Sequence, residues 1–547
     1  MHTFKFIKGV LGVSLLAGLL STSCNKKISE AYLNPNSPVV EPIETLLPSI
    51  EANFVGGANS GNSGNGTAGD ALQINRYIQT WAQNSDQYQY DEMGGTTGAQ
   101  AGTLGYTWTM FYATQGQNIN QVIAWGTQQK KWDYVGVAEA IRAWGWLTLS
   151  DEYGNIILRE AFQTGRTQFD YDTLQSEAYD TVRATCFRAL NHLSMTGDSV
   201  SPTNLAIGDQ YFYGGDESKW KKFVYGVLAR SYAHLTDHST YQPDSVIKYA
   251  NLAMTSNADN AALQFANTGV SGTMNYDGPF RGNIGSVRQT AWVAGLLSGQ
   301  NPTIPVADPR AWYLIRENTN GTFKGITPTM GGTGDIGLTT TDQPQGFWGQ
   351  SYTTTTAASD TNARYVFRNA APYPIMTAAE MQFLIAEAAY HKGDKATALT
   401  AYTTGINLSF DMLTSTYNVH IPAADVITPA TQATYMAAVV PTDPSQLTLS
   451  QIMLQKYIAL FVYGAHETWV DMRRFHYTDL DPVTGQQVYA NFQLPPIIWP
   501  QNGNKPVYRA RPQNTSEYQY NILAVTAMGG TAIDYCTRQI QFSINGF

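Results

Sequence analysis

Cysteine is scarce in this chain, with Cys24, Cys186 and Cys536 the only three in 547 residues. So few cysteines exclude a disulfide framework as the main source of stability. Cys186 falls on an apolar stripe with Val182 and Ala189, which favours a buried thiol over a disulfide. The fold must therefore rest on a hydrophobic core, and a hydrophobic content of 43% in a chain of this length is enough for a large one.

Charge is also sparse. Charged residues make up 14% of the chain, and the formal net charge is -9. An acidic and weakly charged body lacks the positive field that attracts polyanions. This composition argues against nucleic acid, or any anionic ligand, as the main partner.

Long apolar runs are missing except near the start, where residues 9–20 follow Lys5 and Lys8. That run is too short to span a bilayer and ends in small residues directly before Cys24, so residues 1–23 are predicted to be a signal peptide. Cys24 then becomes the acylated first residue of a peripheral lipoprotein, because acyl chains contribute about 0.8 kcal/mol per buried methylene. An ordinary signal peptide with an incidental cysteine is the alternative.

Motifs for catalysis are absent as well. The sequence has no nucleophile elbow, no zincin motif and no phosphate-binding loop. Two carboxylate pairs, Asp86 with Asp91 and Asp151 with Glu152, have unremarkable spacing, although sequence alone does not exclude the geometry of a glycosidase. A binding protein is therefore favoured over an enzyme.

No metal site or cofactor is expected. His234 and His238 share a helix face, but no glutamate follows the first histidine, so they are interpreted as solvated helix residues. Calcium at an Asp- and Asn-rich loop stays open, although no EF-hand pattern is present.

Aromatic residues, by contrast, are abundant: they make up 12% of the chain, including 33 Tyr and 12 Trp. Most are expected in the core. Rings with polar rims also suit sugars, whose C–H faces stack on the ring while their hydroxyls bond to polar side chains. The composition therefore suits a ligand such as a sugar.

Glycine and small polar residues mark the predicted flexible parts of the chain. A flexible leader is expected over about 25–70, because the segment Gly56–Gly69 is almost pure Gly, Asn and Ser. Two loop-rich insertions are predicted at about 265–303 and 318–361. Loops of this length are usually functional.

Helical periodicity dominates elsewhere and predicts a mostly α fold. Trp220, Phe223, Val224 and Val227 begin an apolar stripe that continues at helical spacing. Similar stripes predict an irregular scaffold of about four helical pairs resembling tetratricopeptide units. Its predicted helices cover 133–149, 177–193, 220–235, 246–254, 381–389 and 398–406.

Several segments resemble the SusD/RagB family of outer-membrane nutrient-binding lipoproteins, in particular its SusD-like branch associated with starch binding. The segments are Leu147–Asn155 with Glu160–Phe162, Asp209–Asp216 with Lys219–Phe223 and Arg230, Pro374–Thr377 with Glu380–Ala388, Gln451–Phe461, and Glu467–Arg474. Within them, Glu387, and Asp471 near Arg473 and Arg474, are interpreted as members of buried ion pairs, because an unpaired charge there would be costly.

The resemblance implies a single SusD-like domain over 24–547, anchored to the outer membrane and facing the cell exterior. It also implies a SusC-like TonB-dependent transporter as partner and an oligosaccharide as ligand. In relatives the glycan face is built from the region before the first helical pair and from the irregular insertions. The local candidates are Trp81, Asn84, Asp86, Tyr88, Tyr90, Asp91, Tyr276, Arg281, Trp292, Phe347 and Trp348.

Three alternative functions remain open from the sequence. The protein could capture peptides, as some members of the family do, which favours backbone-reading amides over paired rings. It could act as a lid whose substrate contacts come from the transporter. A glycan-degrading lipoprotein is the third and least favoured alternative.

Overall fold

The computed structural model describes residues 42–56, 66–95, 104–172, 174–334, 336–357 and 359–544. The predicted signal peptide, Cys24 and the first part of the predicted leader lie outside these residues. Within the described residues the protein is mostly helical, which confirms the predicted fold class.

Helices supply most of the regular structure. They are α1 Ile43–Ala52, α2 Thr67–Tyr77, α3 Tyr106–Thr109, α4 Gly116–Gln129, α5 Trp132–Tyr153, α6 Gln175–His192, α7 Pro202–Gly208, α8 Glu217–Ala233, α9 Pro243–Leu252, α10 Ala291–Leu297, α11 Ala311–Leu314, α12 Ala378–His391, α13 Lys395–Thr416, α14 Pro429–Val439, α15 Leu449–Ala459, α16 Ala465–Arg474, α17 Asn514–Tyr520 and α18 Ile522–Ala527. A π-helical turn, Met110–Gln115, joins α3 to α4.

The strands are short and pair across long stretches of sequence. They are β1 Trp81–Gln83, β2 Ala261–Leu263, β3 Val287–Gln289 and β4 Tyr373–Met376. Strand β1 pairs antiparallel with β3, in a register that places Trp81 opposite Gln289. Strand β2 pairs antiparallel with β4. The first of these pairs fixes the chain that follows β1 against the first predicted insertion.

The longer helices that are adjacent in sequence pack against each other extensively: α4 with α5, α5 with α6, α8 with α9, and α12 with α13. Local chemistry explains the boundaries. The Asp216 side chain accepts the N–H groups of Ser218 and Lys219 at the start of α8. Gly393, at φ +80°, makes the turn after α12, and Asp394 caps α13. The detailed likeness to tetratricopeptide units stays a prediction.

Two predicted loop regions contain more regular structure than expected. The prediction of a flexible leader over 25–70 is wrong for α1, because Ile43, Leu47 and Ile50 are fully buried. It is also wrong for the start of α2. The prediction of a loop-rich insertion at 265–303 is wrong for the end of this segment, because β3 and α10 lie there. The described residues of the insertion at 318–361 form no helix or strand. Its bounds stay a prediction.

Buried charges join the C-terminal helices as predicted. Arg474 pairs with Glu387 at 2.8 Å and with Asp471 at 2.6 Å, while Lys456 pairs with Asp471 at 2.7 Å. Arg473 instead lies over the Trp469 ring, 3.7 Å from its centroid. The network therefore ties α12, α15 and α16 together.

Cys186 is a buried free thiol, as predicted. Cys536 is buried as well. In the part of the chain that the structure describes, no helix combines the length and the apolar character needed to cross a bilayer.

Candidate functional site

The chain after β1 forms an exposed loop of polar and aromatic residues. Asn84, Tyr88 and Tyr90 are half-buried, and Asp86 is exposed. Four of the predicted ligand-binding residues are therefore accessible on one continuous segment. We call this segment, residues 84–91, the tyrosine loop.

A buried ion pair supports the tyrosine loop from below. Arg76 Nη1 lies 2.8 Å from Asp91 Oδ1, and both side chains are almost completely enclosed. Arg76 Nη2 donates to Gln83 Oε1 at 2.9 Å, and the Gln83 backbone N–H donates to Asp91 Oδ2 at 2.7 Å. Burial raises the pKa of Asp91, and Arg76 opposes that shift. Asp91, predicted to contact a glycan, is instead buried and holds the loop to α2.

Tyr88 and Tyr90 present neighbouring rings above this ion pair. The Tyr88 ring lies over the Arg76 guanidinium, with 4.4 Å between Cζ and the ring centroid. The Tyr88 and Tyr90 centroids are 5.7 Å apart, and their planes are tilted by 42°. The two rings therefore do not form a flat surface.

Tyr106 lies close enough to Tyr88 to interact with it electrostatically, and it was missed from the sequence. Its side chain is 36% exposed, burial raises its pKa, and the charges of Asp70 and Tyr88 add to the shift. Its position is fixed by Asp70, whose carboxylate accepts the N–H groups of Gly105, Tyr106 and Thr107 at 2.9, 3.1 and 2.6 Å. No helical stripe marks residue 106, so the only available signal was an aromatic residue directly after a glycine. Tyr88, Tyr90 and Tyr106 together are called the tyrosine face.

A segment of the second predicted insertion, at 318–361, also contacts the tyrosine loop and holds it in place. Asp86 forms a β-bridge with Met330, and its Oδ1 accepts the Gly332 N–H at 2.5 Å. The Asn84 side chain donates to the Tyr352 carbonyl at 2.9 Å, and the Tyr352 hydroxyl donates to the Gly331 carbonyl at 2.5 Å. The loop is therefore fixed by residues more than two hundred positions away.

Backbone strain is concentrated around the same loop. Gln79, Gln87, Met93 and Thr329 all adopt positive φ, at 56°, 53°, 57° and 72°. Thr329 is the most unusual because it is β-branched and buried. Strain of this kind persists only where the surroundings enforce it, and it is typical of binding and catalytic sites.

Five other predicted ligand contacts are buried in the core: Trp81, Tyr276, Arg281, Phe347 and Trp348. The Trp81 indole donates to the Leu72 carbonyl at 3.0 Å, and its ring packs edge-on against Phe347. Trp348 donates to the Asp277 carbonyl at 2.8 Å. As direct ligand contacts these five predictions are not supported, because the side chains point into the protein and have partners there.

Arg281, one of these five buried residues, connects two segments of the chain. Its guanidinium donates to the carbonyls of Ser271 and Gly56 at 2.9 and 3.3 Å, and it lies 5.5 Å from the Tyr276 ring. It therefore ties the first insertion to the chain after α1.

Trp292 belongs to a different aromatic cluster. It is half-buried, its indole donates to the Ala490 carbonyl at 3.1 Å, and its ring packs edge-on against Tyr457 and Phe492. The structure therefore gives Trp292 a packing role and does not place it among the rings of the tyrosine face.

The second pair of carboxylates considered for hydrolysis, Asp151 with Glu152, has partners within the protein. Asp151 hydrogen-bonds to the Tyr179 hydroxyl and lies 3.1 Å from His234. Glu152 is buried, and its Oε2 lies 3.1 Å from His466. Neither Asp151 nor Glu152 is presented to solvent as the acid of a glycosidase.

His234 was predicted to be solvated and is instead buried between two carboxylates. Its Nδ1 lies 3.1 Å from Asp151 and its Nε2 lies 2.9 Å from Glu467. Burial opposes the charged form, but the two carboxylates raise the pKa of His234 to about 9. It is therefore an imidazolium within a structural ion network.

Comparison with protein families finds one that matches most of the chain. Its description is starch-binding associating with outer membrane, it is SusD-like, and it matches residues 36–496. A comparison with curated proteins gives no match.

Solved structures with the same fold come from several bacteria. A SusD/RagB family protein from Bacteroides thetaiotaomicron has 20% identity and a TM-score of 0.65, covering 93% of this chain and 100% of its own. A SusD homologue from Bacteroides fragilis has 18% identity and a TM-score of 0.64, covering 92% and 100%. A chitin-binding SusD homologue from Flavobacterium johnsoniae has 18% identity and a TM-score of 0.66, covering 92% and 99%. At these identities the structures show a shared fold.

Proposed function

This chain belongs to the SusD-like family of starch-binding, outer-membrane-associating proteins, and we propose that its tyrosine face binds an oligosaccharide and delivers it to a SusC-like TonB-dependent transporter. The single observation that carries the proposal is the partly exposed arrangement of Tyr88, Tyr90 and Tyr106 beside the buried Arg76–Asp91 ion pair. A solved structure with the same fold is described as a chitin-binding SusD homologue, which agrees with a carbohydrate ligand.

The chemistry of the site suits a sugar. Aromatic rings take up the C–H faces of a pyranose, and polar groups beside the rings orient its hydroxyls. Asp86 supplies such a group, because one of its carboxylate oxygens accepts the Gly332 N–H and its side chain is exposed. Asn84 supplies an amide beside it.

Rigidity of the tyrosine face lowers the entropy cost of binding. The Arg76–Asp91 ion pair and the Asp86–Met330 bridge fix the loop before a ligand arrives. A preorganised site loses less conformational freedom on binding than a mobile one. The buried Trp81 ring at the start of the loop supports it, because its indole donates to the Leu72 carbonyl in α2.

Calorimetry with starch and chitin oligosaccharides tests the proposal. Tyr88→Ala and Tyr90→Ala should each weaken binding by at least about tenfold, because each removes a stacking surface. Tyr520→Ala is the matched control, since Tyr520 is an exposed tyrosine outside the face. Unchanged affinity in both face variants would contradict the site.

Two further assays separate the alternative functions. A peptide array should show no binding that depends on Tyr88, and incubation with polysaccharide should release no new reducing ends. Peptide binding at the tyrosine face without glycan binding would replace the proposal with peptide capture. Turnover by the purified protein alone would make it an enzyme.

The membrane anchor at Cys24 and the association with the transporter are tested separately. Cys24→Ser should move the protein from the outer-membrane fraction to the soluble fraction, and the wild-type N-terminal peptide should carry acyl mass. The transporter should co-purify from detergent-solubilised outer membranes. A wild-type protein that is soluble and free of fatty acid would contradict the anchor.

A further inference from the structure

A second concave site lies between α10, α11 and α14. It is a cavity of about 500 Å³ that shares no lining residue with the tyrosine face. Its volume is within the range of about 300–1,000 Å³ typical of small-molecule sites. The walls are mostly apolar, and the residues that matter to its chemistry are Trp312, Phe323, Asp425, Ala430 and Tyr435.

One wall is an aromatic corner. The rings of Trp312 and Phe323 meet edge to face, with centroids 5.0 Å apart and planes at 73°, and both are half-buried. The Trp312 backbone is held by Arg364, whose Nη1 donates to the Trp312 carbonyl at 3.1 Å. Two perpendicular rings leave an apolar recess for the body of a ligand.

The same cavity contains a carboxylate that has no partner within the described residues. Asp425 is half-buried and forms no ion pair or side-chain hydrogen bond there. The other nearby carboxylates are neutralised: Asp308 pairs with Arg310 at 2.6 Å, and Glu317 pairs with Arg364 at 2.8 Å. Burial raises the pKa of Asp425, the charge of Glu317 adds to the shift, and the charge of Arg364, which is already paired with Glu317, opposes it.

The remaining wall is fixed by hydrogen bonds. Tyr435 is buried, and its hydroxyl accepts from Gln455 Nε2 at 2.7 Å and from Arg310 Nη2 at 3.3 Å. Thr428 caps α14 through a reciprocal pair of hydrogen bonds with Thr431. These hydrogen bonds fix the position of Tyr435 and of the start of α14.

We propose that this cavity binds a small amphiphilic organic cation, whose apolar body packs against Trp312 and Phe323 and whose ammonium group pairs with Asp425. Such a ligand fills the recess and supplies the positive charge that the carboxylate lacks. The aromatic walls favour the same ligand, because cations are attracted to ring faces.

The cation has two possible sources, a free amine or the lysine side chain of a short peptide. Phenethylammonium is the probe for the first, and an N-acetylated, C-amidated Phe-Lys dipeptide is the probe for the second. The neutral comparison is 2-phenylethanol, which has a similar shape without the charge. Binding of each probe to the mature protein is measured by calorimetry and by ligand-observed NMR.

Saturable binding of at least one cationic probe is expected, with 2-phenylethanol at least about tenfold weaker. Asp425→Asn should weaken binding of the cation by a similar factor and leave that of 2-phenylethanol unchanged. Ala430→Phe should abolish binding by filling the cavity without changing any charge. Asp411→Asn, an exposed carboxylate outside the cavity, is the matched control.

The proposal is overturned if neither cation binds saturably, if 2-phenylethanol binds as tightly as phenethylammonium, or if Asp425→Asn binds the cation unchanged. Thermal unfolding of each variant excludes misfolding as the cause of lost binding. The readout does not involve glycans, so it is independent of the function proposed for the tyrosine face.

Discussion

Arg76 and Asp91 form a buried ion pair directly beneath the ring of Tyr88, with 2.8 Å between Nη1 and Oδ1. One face of the guanidinium supports the ring, and one edge binds the carboxylate. The pair therefore connects α2 to the proposed ligand surface. A buried ion pair adds little net stability compared with apolar residues, but breaking one is costly.

Arg76→Met should lower the free energy of unfolding by about 3–5 kcal/mol, because it leaves the Asp91 carboxylate buried without its partner. The double variant Arg76→Met/Asp91→Leu should recover most of that loss. Urea denaturation measures both. Equal stability of the single and double variants would show that the pair is not coupled as described.

Asp70 and Glu152 should make stability fall as pH rises. Burial raises the pKa of both to about 7, and the charge of Glu152 adds to the rise at Asp70. Folded-state values above the unfolded ones mean that the stabilisation is complete below about pH 4 and is lost as pH rises through about 7.

Glu152→Gln tests this pair, because glutamine resembles the protonated acid. The variant should lose less stability than the wild type between pH 5 and pH 8, as followed by denaturation at each pH. Glu160→Gln, in a partly exposed carboxylate, is the control. If the wild type and Glu152→Gln had parallel profiles of stability against pH, the raised pKa of Glu152 would be contradicted.

Glu387 should make stability fall as pH is lowered, the opposite of the effect of Asp70 and Glu152. Burial works to raise its pKa, but Arg474 and Lys456 overcome this and lower it to about 2. The stabilisation is therefore present above about pH 4.5 and is lost as pH falls towards 2. Glu387→Gln should be markedly less stable than the wild type at pH 7, and the difference should shrink in acid. A difference that stays constant from pH 7 to pH 3 would argue against the ion pair.

The helical scaffold could be predicted from sequence because its signal is local. The stripe containing Trp220, Phe223, Val224 and Val227 predicted 220–235, and the structure has α8 at Glu217–Ala233. The break at Gly393-Asp394 was equally clear, since a positive φ and a helix cap both depend on neighbouring residues. Helix α1 was missed because it precedes a glycine-rich segment that dominates the composition around it.

The candidate site was predicted only in part because burial of a loop is not local. Trp348 and Asp86 both lie in polar, irregular segments, yet one is in the core and the other is exposed. What separates them is tertiary pairing, such as the Trp348 indole donating to the Asp277 carbonyl. Nothing in the spacing of residues 265–361 encodes that contact.

Thr329→Gly tests the strain beside the tyrosine loop. Glycine adopts φ near +72° without the penalty paid by a β-branched residue, so stability should rise or stay level despite the greater entropy of the unfolded chain. Thr327→Gly, at a neighbouring position without positive φ, should instead lose about 0.5–1 kcal/mol. Thermal unfolding compares the two. A larger loss for Thr329→Gly than for Thr327→Gly would show that the strain is small.

Gly331 allows the second insertion to approach the chain after β1. A Cβ atom at this position would lie 1.9 Å from the Gln83 carbonyl oxygen and 2.9 Å from the Ser85 nitrogen. Both neighbours are backbone atoms, so the two segments must separate. Gly331→Ala should therefore displace the bridge between Asp86 and Met330.

Because Asp86 and the tyrosine loop depend on that bridge, Gly331→Ala should weaken oligosaccharide binding by at least about tenfold while leaving the helical core intact. Gly334→Ala is the matched control, since a Cβ at Gly334 meets nothing within 4 Å. Calorimetry measures affinity, and circular dichroism measures helix content. If Gly331→Ala bound glycan as tightly as Gly334→Ala, the second insertion would not be what positions the tyrosine face.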